Sequence, residues 1–190
     1  MTNEIDISIT EKTLSILRNM IGKKFEKFRS DPFIFSPSVF GIVGIFIDGK
    51  SYSITSLLEE KNRFFEQTEV AVLKIVETED KNIVSKMDGG AMVETPVMDT
   101  IQSISVVNDI ECVTHNEDKR VFKSSKGIIF HMKSGNEISF EIGTWFSEFI
   151  TIMKGYDLIQ KFTPIGEFID EWDETAGYIP EVSREIIRLK

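Results

Sequence analysis

A thiol and an imidazole are separated by two residues, at Cys112 and His115, which is the spacing of half of a zinc site. A closed zinc site needs four ligands, whereas the protein holds this one cysteine and one further histidine, His131. Nucleophilic catalysis by the same pair would need converging side chains and an oxyanion hole, and the sequence shows neither. We therefore predict a buried Cys112 on a strand, His115 in the polar turn after it, and no metal or cofactor.

Three other polar residues share one face of a predicted hairpin, because side chains alternate along strands: His131, Ser139 and Glu141. Such a group can line a pocket in a sheet. It supports the alternative that the protein is a small-molecule binder or an enzyme. Since histidine and carboxylate neighbours are common in sheets without any function, we favour a protein that is not an enzyme and predict no catalytic residue.

Acidic residues are concentrated around Trp172, where five carboxylates fall within eight residues. On a helix, spacings of three and four would align four of them in one stripe beside Trp172, and like charges there cost about 0.2 to 0.5 kcal/mol per pair. A basic partner would relieve this repulsion, although a solvated helix face is the simpler interpretation. We predict a non-catalytic acidic protein-binding module for a basic protein, with an interaction surface of Glu167, Asp170, Glu171, Trp172 and Glu174.

The formal net charge of -9 argues against a nucleic-acid partner. Acidic or apolar residues interrupt both basic groups, which are Lys23, Lys24, Lys27 and Arg29, and Lys119, Arg120, Lys123 and Lys126. No apolar run approaches the roughly 18 residues that a membrane span requires, and the first residues do not resemble a signal peptide. These features predict a soluble cytoplasmic protein with neither a nucleic-acid nor a membrane partner. They leave its oligomeric state open.

Composition favours strands as the elements that position these side chains. The sequence has 27 Ile, 13 Val and 15 Phe against 7 Leu and 3 Ala, and the first three types suit a pleated, half-buried surface. We predict an α+β domain over residues 1–190: a mainly antiparallel sheet or partly open barrel with an N-terminal and a C-terminal helix packed on it. The long connection at 77–97, rich in acids and glycine, is a possible internal boundary.

Two segments show helical periodicity. Thr10 is a suitable N-cap for a helix that buries Leu14, Leu17 and Ile21 and ends at Gly22. Residues 23–30 fit either a strand or a continuation of this helix. Near the other end, Thr163-Pro164 resembles a helix start, Gly177 a stop, and the apolar spacing between them is that of a buried helix face: Ile165, Phe168, Ile169 and Trp172. A last segment from Pro180 fits a short helix or a strand.

The run from Val43 to Ile54 predicts a β-hairpin, because Asp48-Gly49 suits the two positive φ values of a type I′ turn. This two-residue loop pairs Ile47 with Lys50, Ile45 with Tyr52 and Val43 with Ile54. For a second hairpin over 128–142, a two-residue loop would mix apolar and charged faces. A three-residue loop at 134–136 is therefore predicted, pairing Met132 with Ile138, Phe130 with Phe140, Ile128 with Ile142 and His131 with Ser139.

Further strands are predicted at 70–76, 101–107 and 149–153, the last ending at Gly155. The first of these is apolar on both faces, which is typical of a strand in the middle of a sheet.

Overall fold

The computed structural model describes residues 2–34, 36–87, 90–143, 147–172 and 177–190. Most of them lie in one mainly antiparallel sheet that does not close on itself. The predicted predominance of antiparallel sheet is confirmed. The predicted pair of flanking helices is found only in part.

The described residues form eleven strands and two α-helices. The strands are β1 (Thr2–Asp6), β2 (Lys24–Ser30), β3 (Ser38–Phe40), β4 (Ile42–Ile47), β5 (Lys50–Arg63), β6 (Glu66–Thr78), β7 (Val93–His115), β8 (Asp118–Met132), β9 (Glu137–Ile142), β10 (Phe149–Gly155) and β11 (Tyr178–Leu189). The helices are α1 (Glu11–Arg18) and α2 (Gly166–Asp170), and short 3-10 helices occur at Asp80–Asn82 and Leu158–Lys161. None of the described helices is long and apolar enough to cross a bilayer.

Strand β7 organises the sheet. Its first part pairs with β2 and its second part pairs with both β8 and β11, within the order β3-β10-β9-β8-β7-β2-β4-β5-β6. Strand β1 adds to β8 in parallel. Strands pair with both edges of the second part of β7, so its side chains point only to the two faces of the sheet. One face forms the main apolar core, and the opposite face is more polar.

Helix α1 covers the main core as predicted. The Thr10 hydroxyl accepts the Thr13 N–H (3.4 Å), and Leu17 is fully buried. The predicted end at Gly22 is wrong: the helix ends at Arg18 with Asn19 as its C-cap, and Gly22, with a φ of 82°, lies in the turn that follows. The open choice for 23–30 resolves as strand β2. Its Phe25 and Phe28 are buried and meet Phe130 and Phe140 edge to face in the core.

The β4–β5 hairpin has the predicted register. Ile47 pairs with Lys50, Ile45 with Tyr52 and Val43 with Ile54. Asp48 and Gly49 have φ values of 52° and 77°, as a type I′ turn requires. The residue preferences of the turn and the apolar pattern of the two strands therefore predict the same register.

The predicted register of the β8–β9 hairpin is wrong by two residues. Phe130 pairs with Ile138 and His131 with Glu137, and the positive φ of the turn, 91°, falls at Gly135. Because side chains alternate with a period of two, this shift leaves every apolar residue on its predicted face. The apolar pattern of the sequence therefore cannot distinguish the two registers. The shift nevertheless replaces Ser139 with Glu137 as the residue opposite His131.

The predicted C-terminal helix is matched only in part: of its described residues, Gly166–Asp170 form an α-helix, and residues 173–176 lie outside the described residues. Thr163 does not cap it: its N–H donates to Glu141 and its C=O accepts from Arg184, so the sheet holds this residue. Phe168 is buried as expected, whereas Ile169 is 39% exposed. The last segment, left open between helix and strand, is strand β11.

Strand β6, predicted to lie in the middle of the sheet, is its last strand in the order given above. Both of its faces are nevertheless covered. Leu73 and Ile75 enter the main core, while Val70 and Val72 join a second apolar cluster with Val113, Phe122 and Phe168. Burial on two faces reflects packing partners on both sides and does not require two hydrogen-bonded neighbours.

Candidate binding surface

Residues 156–172, here called the cover segment, lie across the polar face of β7, β8 and β9. Three apolar side chains of the cover segment are buried: Leu158, Phe162 and Phe168. The first two pack with Val107 and Ile129. The face beneath them carries several buried polar side chains, so each of those needs a partner in the interior.

Two carboxylates of β9 attach the cover segment to the sheet. Glu137 Oε2 accepts the Leu158 N–H (2.8 Å), and Glu141 Oε1 accepts the Thr163 N–H (2.8 Å). Arg184 adds a third contact by donating to the Thr163 C=O (3.0 Å). The cover segment is thus held through its backbone at fixed points as well as by apolar packing.

Buried ion pairs continue along this face. Arg184 donates to both oxygens of Asp109 (2.6 and 2.9 Å). Arg63 and Glu111, only 3% and 4% exposed, pair at 2.6 Å, and Lys126 approaches Glu111 at 3.5 Å. A cavity of about 30 Å³ between these groups and the cover segment has room for about one water molecule.

Burial governs the protonation equilibria of this layer. Desolvation raises the pKa of Glu141, opposed by the hydrogen bond from Thr163. Desolvation also raises the pKa of Glu171, opposed by the positive charge of Arg63. For Arg63 itself, burial lowers the guanidinium pKa, against the attraction of Glu111. Desolvation therefore disfavours the charged form of each of these groups, whether that form is negative or positive.

A hydrogen-bonded series links a serine, a histidine and a glutamate. Ser105 Oγ lies 2.8 Å from His131 Nε2, and His131 Nδ1 lies 2.8 Å from Glu137 Oε1. This order of groups is that of a nucleophile, its base and an orienting carboxylate. Ser105, however, is 4% exposed and lies within β7 between paired residues of β8 and β11. Neither its hydroxyl nor its amide has an open position for a substrate carbonyl.

The three residues predicted to line a pocket therefore contact different groups. His131 bonds to Ser105 and Glu137, Glu141 bonds to Thr163 and borders the small cavity, and Ser139 is buried on β9. Sequence reasoning missed Ser105 and Glu137 as partners of His131. The correct β8–β9 register would have identified Glu137.

Cys112 and His115 do not converge on a site. Cys112 is buried on β7. The His115 ring stacks on Tyr178 with centroids 4.2 Å apart, and its Nδ1 lies 3.3 Å from the Gly177 C=O. Within the described ranges, no group of three or more His, Cys, Asp or Glu side chains is placed to hold a metal ion.

An aromatic cleft opens at the end of the cover segment, beside the β5–β6 turn. It has a volume of about 350 Å³ and is lined by Arg63, Phe64, Phe65, Glu66, Thr68, Trp172 and Tyr178. This volume is within the range of small binding pockets, about 300 to 1,000 Å³. Only Trp172 was predicted from the sequence. Turns usually contain polar residues, so the adjacent Phe64 and Phe65 in a turn were the sequence feature that could have indicated the other residues of the cleft.

One exposed carboxylate lies in this cleft, and three others belong to the cover segment that ends at it, two of which also border the small cavity. Glu66 lines the cleft, and Glu167, Asp170 and Glu171 precede Trp172 on the cover segment. Among the described residues, none of these four has a basic side chain within ion-pair distance. Glu174, the remaining member of the predicted surface, lies outside the described residues. We call the four carboxylates and the cleft together the acidic aromatic surface.

Comparison of the sequence and fold with protein-family models, curated proteins and solved structures finds no match. What supports a function therefore comes from the geometry of the site.

Proposed function

We propose that the protein is a non-catalytic binding module that captures a basic protein partner on the acidic aromatic surface. The observation that carries this proposal is an open aromatic cleft at the end of a segment whose exposed carboxylates form no ion pair among the described residues. Exposed charge of one sign attracts a partner of opposite charge over a distance, and aromatic side chains are common anchors in interfaces.

The rest of the described surface gives a contrast. Exposed acids elsewhere commonly have a basic partner: Glu94 pairs with Lys27 and Arg29, Glu77 with Lys50, and Glu185 with Lys123. These pairs also occupy Lys27 and Arg29 of the first basic group and Lys123 of the second. The contrast is partial, because exposed acids without an ion pair among the described residues also occur elsewhere, for example Asp48, Glu69 and Glu117, and the aromatic cleft is what distinguishes the proposed surface.

The test is charge reversal with a matched control. The double variant Glu167→Lys and Asp170→Lys changes two exposed residues of the cover segment that precede Trp172. Glu77→Lys and Glu79→Lys changes two exposed residues at the opposite end of β6 from Glu66. Binding of fluorophore-labelled octa-arginine is measured at near-physiological salt. We expect the first variant to bind about tenfold more weakly than the control variant. Equal affinity in both would contradict the proposal.

A second candidate, an enzyme or small-molecule binder beneath the cover segment, is supported by the hydrogen-bonded series of Ser105, His131 and Glu137. An active nucleophilic serine reacts with a fluorophosphonate probe. Because Ser105 is buried and its neighbourhood closed, we expect no labelling of the intact protein. Labelling that disappears in Ser105→Ala would favour the enzyme over the binding module.

A further inference from the structure

The aromatic cleft is built from four rings in succession. The Phe64 and Trp172 ring centroids are 5.4 Å apart, those of Trp172 and Tyr178 are 5.3 Å apart, and those of Tyr178 and Phe65 are 5.5 Å apart. These rings come from the β5–β6 turn, the end of the cover segment and the start of β11. Together these four rings form one continuous row, here called the aromatic wall, which three separate segments of the sequence contribute.

Guanidinium groups already lie over two of the rings. Arg63 lies 4.9 Å from the centroid of Phe64, and Arg120 lies 5.2 Å from that of Phe65. Within the described part of the protein, no cation lies over Trp172 or Tyr178. Trp is the aromatic side chain with the most favourable cation interaction, so the wall has an unused cation position at Trp172.

The carboxylates at the cleft favour a cationic ligand over an anionic one. Glu66 in the cleft and Glu171 beside it both act on Arg63, so added negative charge would be repelled. The indole Nε1 of Trp172 is buried and has no acceptor among the described residues. Because this nitrogen is not accessible, a ligand in the cleft would contact Trp172 through its ring.

We propose that the cleft receives one arginine or lysine side chain of the basic partner, with its cation against Trp172 and Tyr178. This inference rests on the proposed function and specifies how the same surface recognises its partner. The acids draw the basic segment to the surface, and the aromatic wall selects a cationic side chain within it.

The experiment compares Trp172→Phe with Trp172→Leu in octa-arginine binding at about 0.15 M and about 0.5 M salt. Phe keeps a ring and Leu keeps only apolar surface, so Leu should weaken binding about tenfold while Phe keeps most of the affinity. The loss in Trp172→Leu should persist at the higher salt, where exposed charge is screened. On the wild-type protein, the Trp172 indole N–H resonance should shift on titration with octa-arginine. Tyr178→Leu takes the place of Trp172→Leu if the latter does not fold.

The outcomes separate the two proposals. If octa-arginine does not bind the wild-type protein, both fail. If Glu167→Lys with Asp170→Lys loses affinity while Trp172→Leu binds like wild type and the indole resonance does not move, only the cation position in the cleft is overturned.

Discussion

At the scale of single residues, carboxylates on this protein have three different surroundings. Some, such as Glu94, form ion pairs at the surface, whereas Glu137 and Glu141 accept backbone N–H groups of the cover segment. Glu167 and Asp170 have no basic side chain within ion-pair distance among the described residues. The sequence predicted the last group, because clustered charge is visible in a sequence. The roles of Glu137 and Glu141 depend on backbone donors about 20 residues away, and no pattern in the sequence shows them.

Glu141 makes the stability depend on pH in a specific direction. Its pKa is raised in the folded protein, so the folded state holds its proton over a pH range in which the unfolded state has lost it. Stability from this residue is therefore lost as pH rises from the ordinary carboxyl pKa of about 4.3 through the raised folded pKa. Glu141→Gln cannot titrate. We expect the melting temperature of Glu141→Gln to rise relative to wild type across this range, and a constant difference would contradict the assignment.

Gly127 tests how closely the cover segment and β9 approach β8. A Cβ here would meet the Phe140 C=O, lie 3.0 Å from the Glu141 Cα and lie 2.9 Å from the Phe162 ring. Two of these neighbours are backbone atoms that cannot move aside. We expect Gly127→Ala to lower the free energy of unfolding by about 1 to 3 kcal/mol in urea titration.

Gly166→Ala is the matched control, because a Cβ there meets nothing within 4 Å. It should leave stability unchanged or raise it by up to about 1 kcal/mol. Equal effects of the two substitutions would mean that β8, β9 and Phe162 are not packed as described.

At the scale of elements, the sequence predicted a hairpin register correctly only where the turn residues allow a single loop length. The β4–β5 hairpin followed from Asp48-Gly49, because only one loop length fits both the turn and the faces. The β8–β9 hairpin did not, because registers two residues apart bury the same side chains. The C-terminal helix was overestimated since its apolar spacing is helical, while the bonds of Thr163 to Glu141 and Arg184 delay its start.

The β4–β5 turn gives a direct test of this element. Gly49 has a φ of 77°, where an L side chain is strained, although a Cβ would meet no atom within 4 Å. Gly49→Ala should therefore cost about 1 to 2 kcal/mol of unfolding free energy through backbone strain alone. Asp48→Asn, which keeps a residue that tolerates positive φ, should be nearly neutral. A neutral Gly49→Ala would contradict the type I′ turn.

At the scale of the whole molecule, the fold brings together residues that are far apart in the sequence. Phe64 and Phe65 line one cleft with Trp172 and Tyr178, which follow them in the sequence by more than a hundred residues, and Glu66 lines the same cleft. Sequence reasoning identified Trp172 and the acids but not the other rings, because a site built from three segments has no linear signature. The acidic cluster around Trp172 predicted a basic partner and a place for it to bind, but not the cleft that the other rings form.

The most direct test of the proposed binding role is the salt dependence of octa-arginine affinity for wild type, for Glu167→Lys with Asp170→Lys, and for the control Glu77→Lys with Glu79→Lys. Exposed charge is screened beyond about 8 Å at physiological ionic strength, so affinity that depends on the acidic aromatic surface should fall with salt. We predict that wild type and the control share one steep dependence and that the first variant has a clearly shallower one. The same salt dependence in all three proteins would contradict binding at this surface.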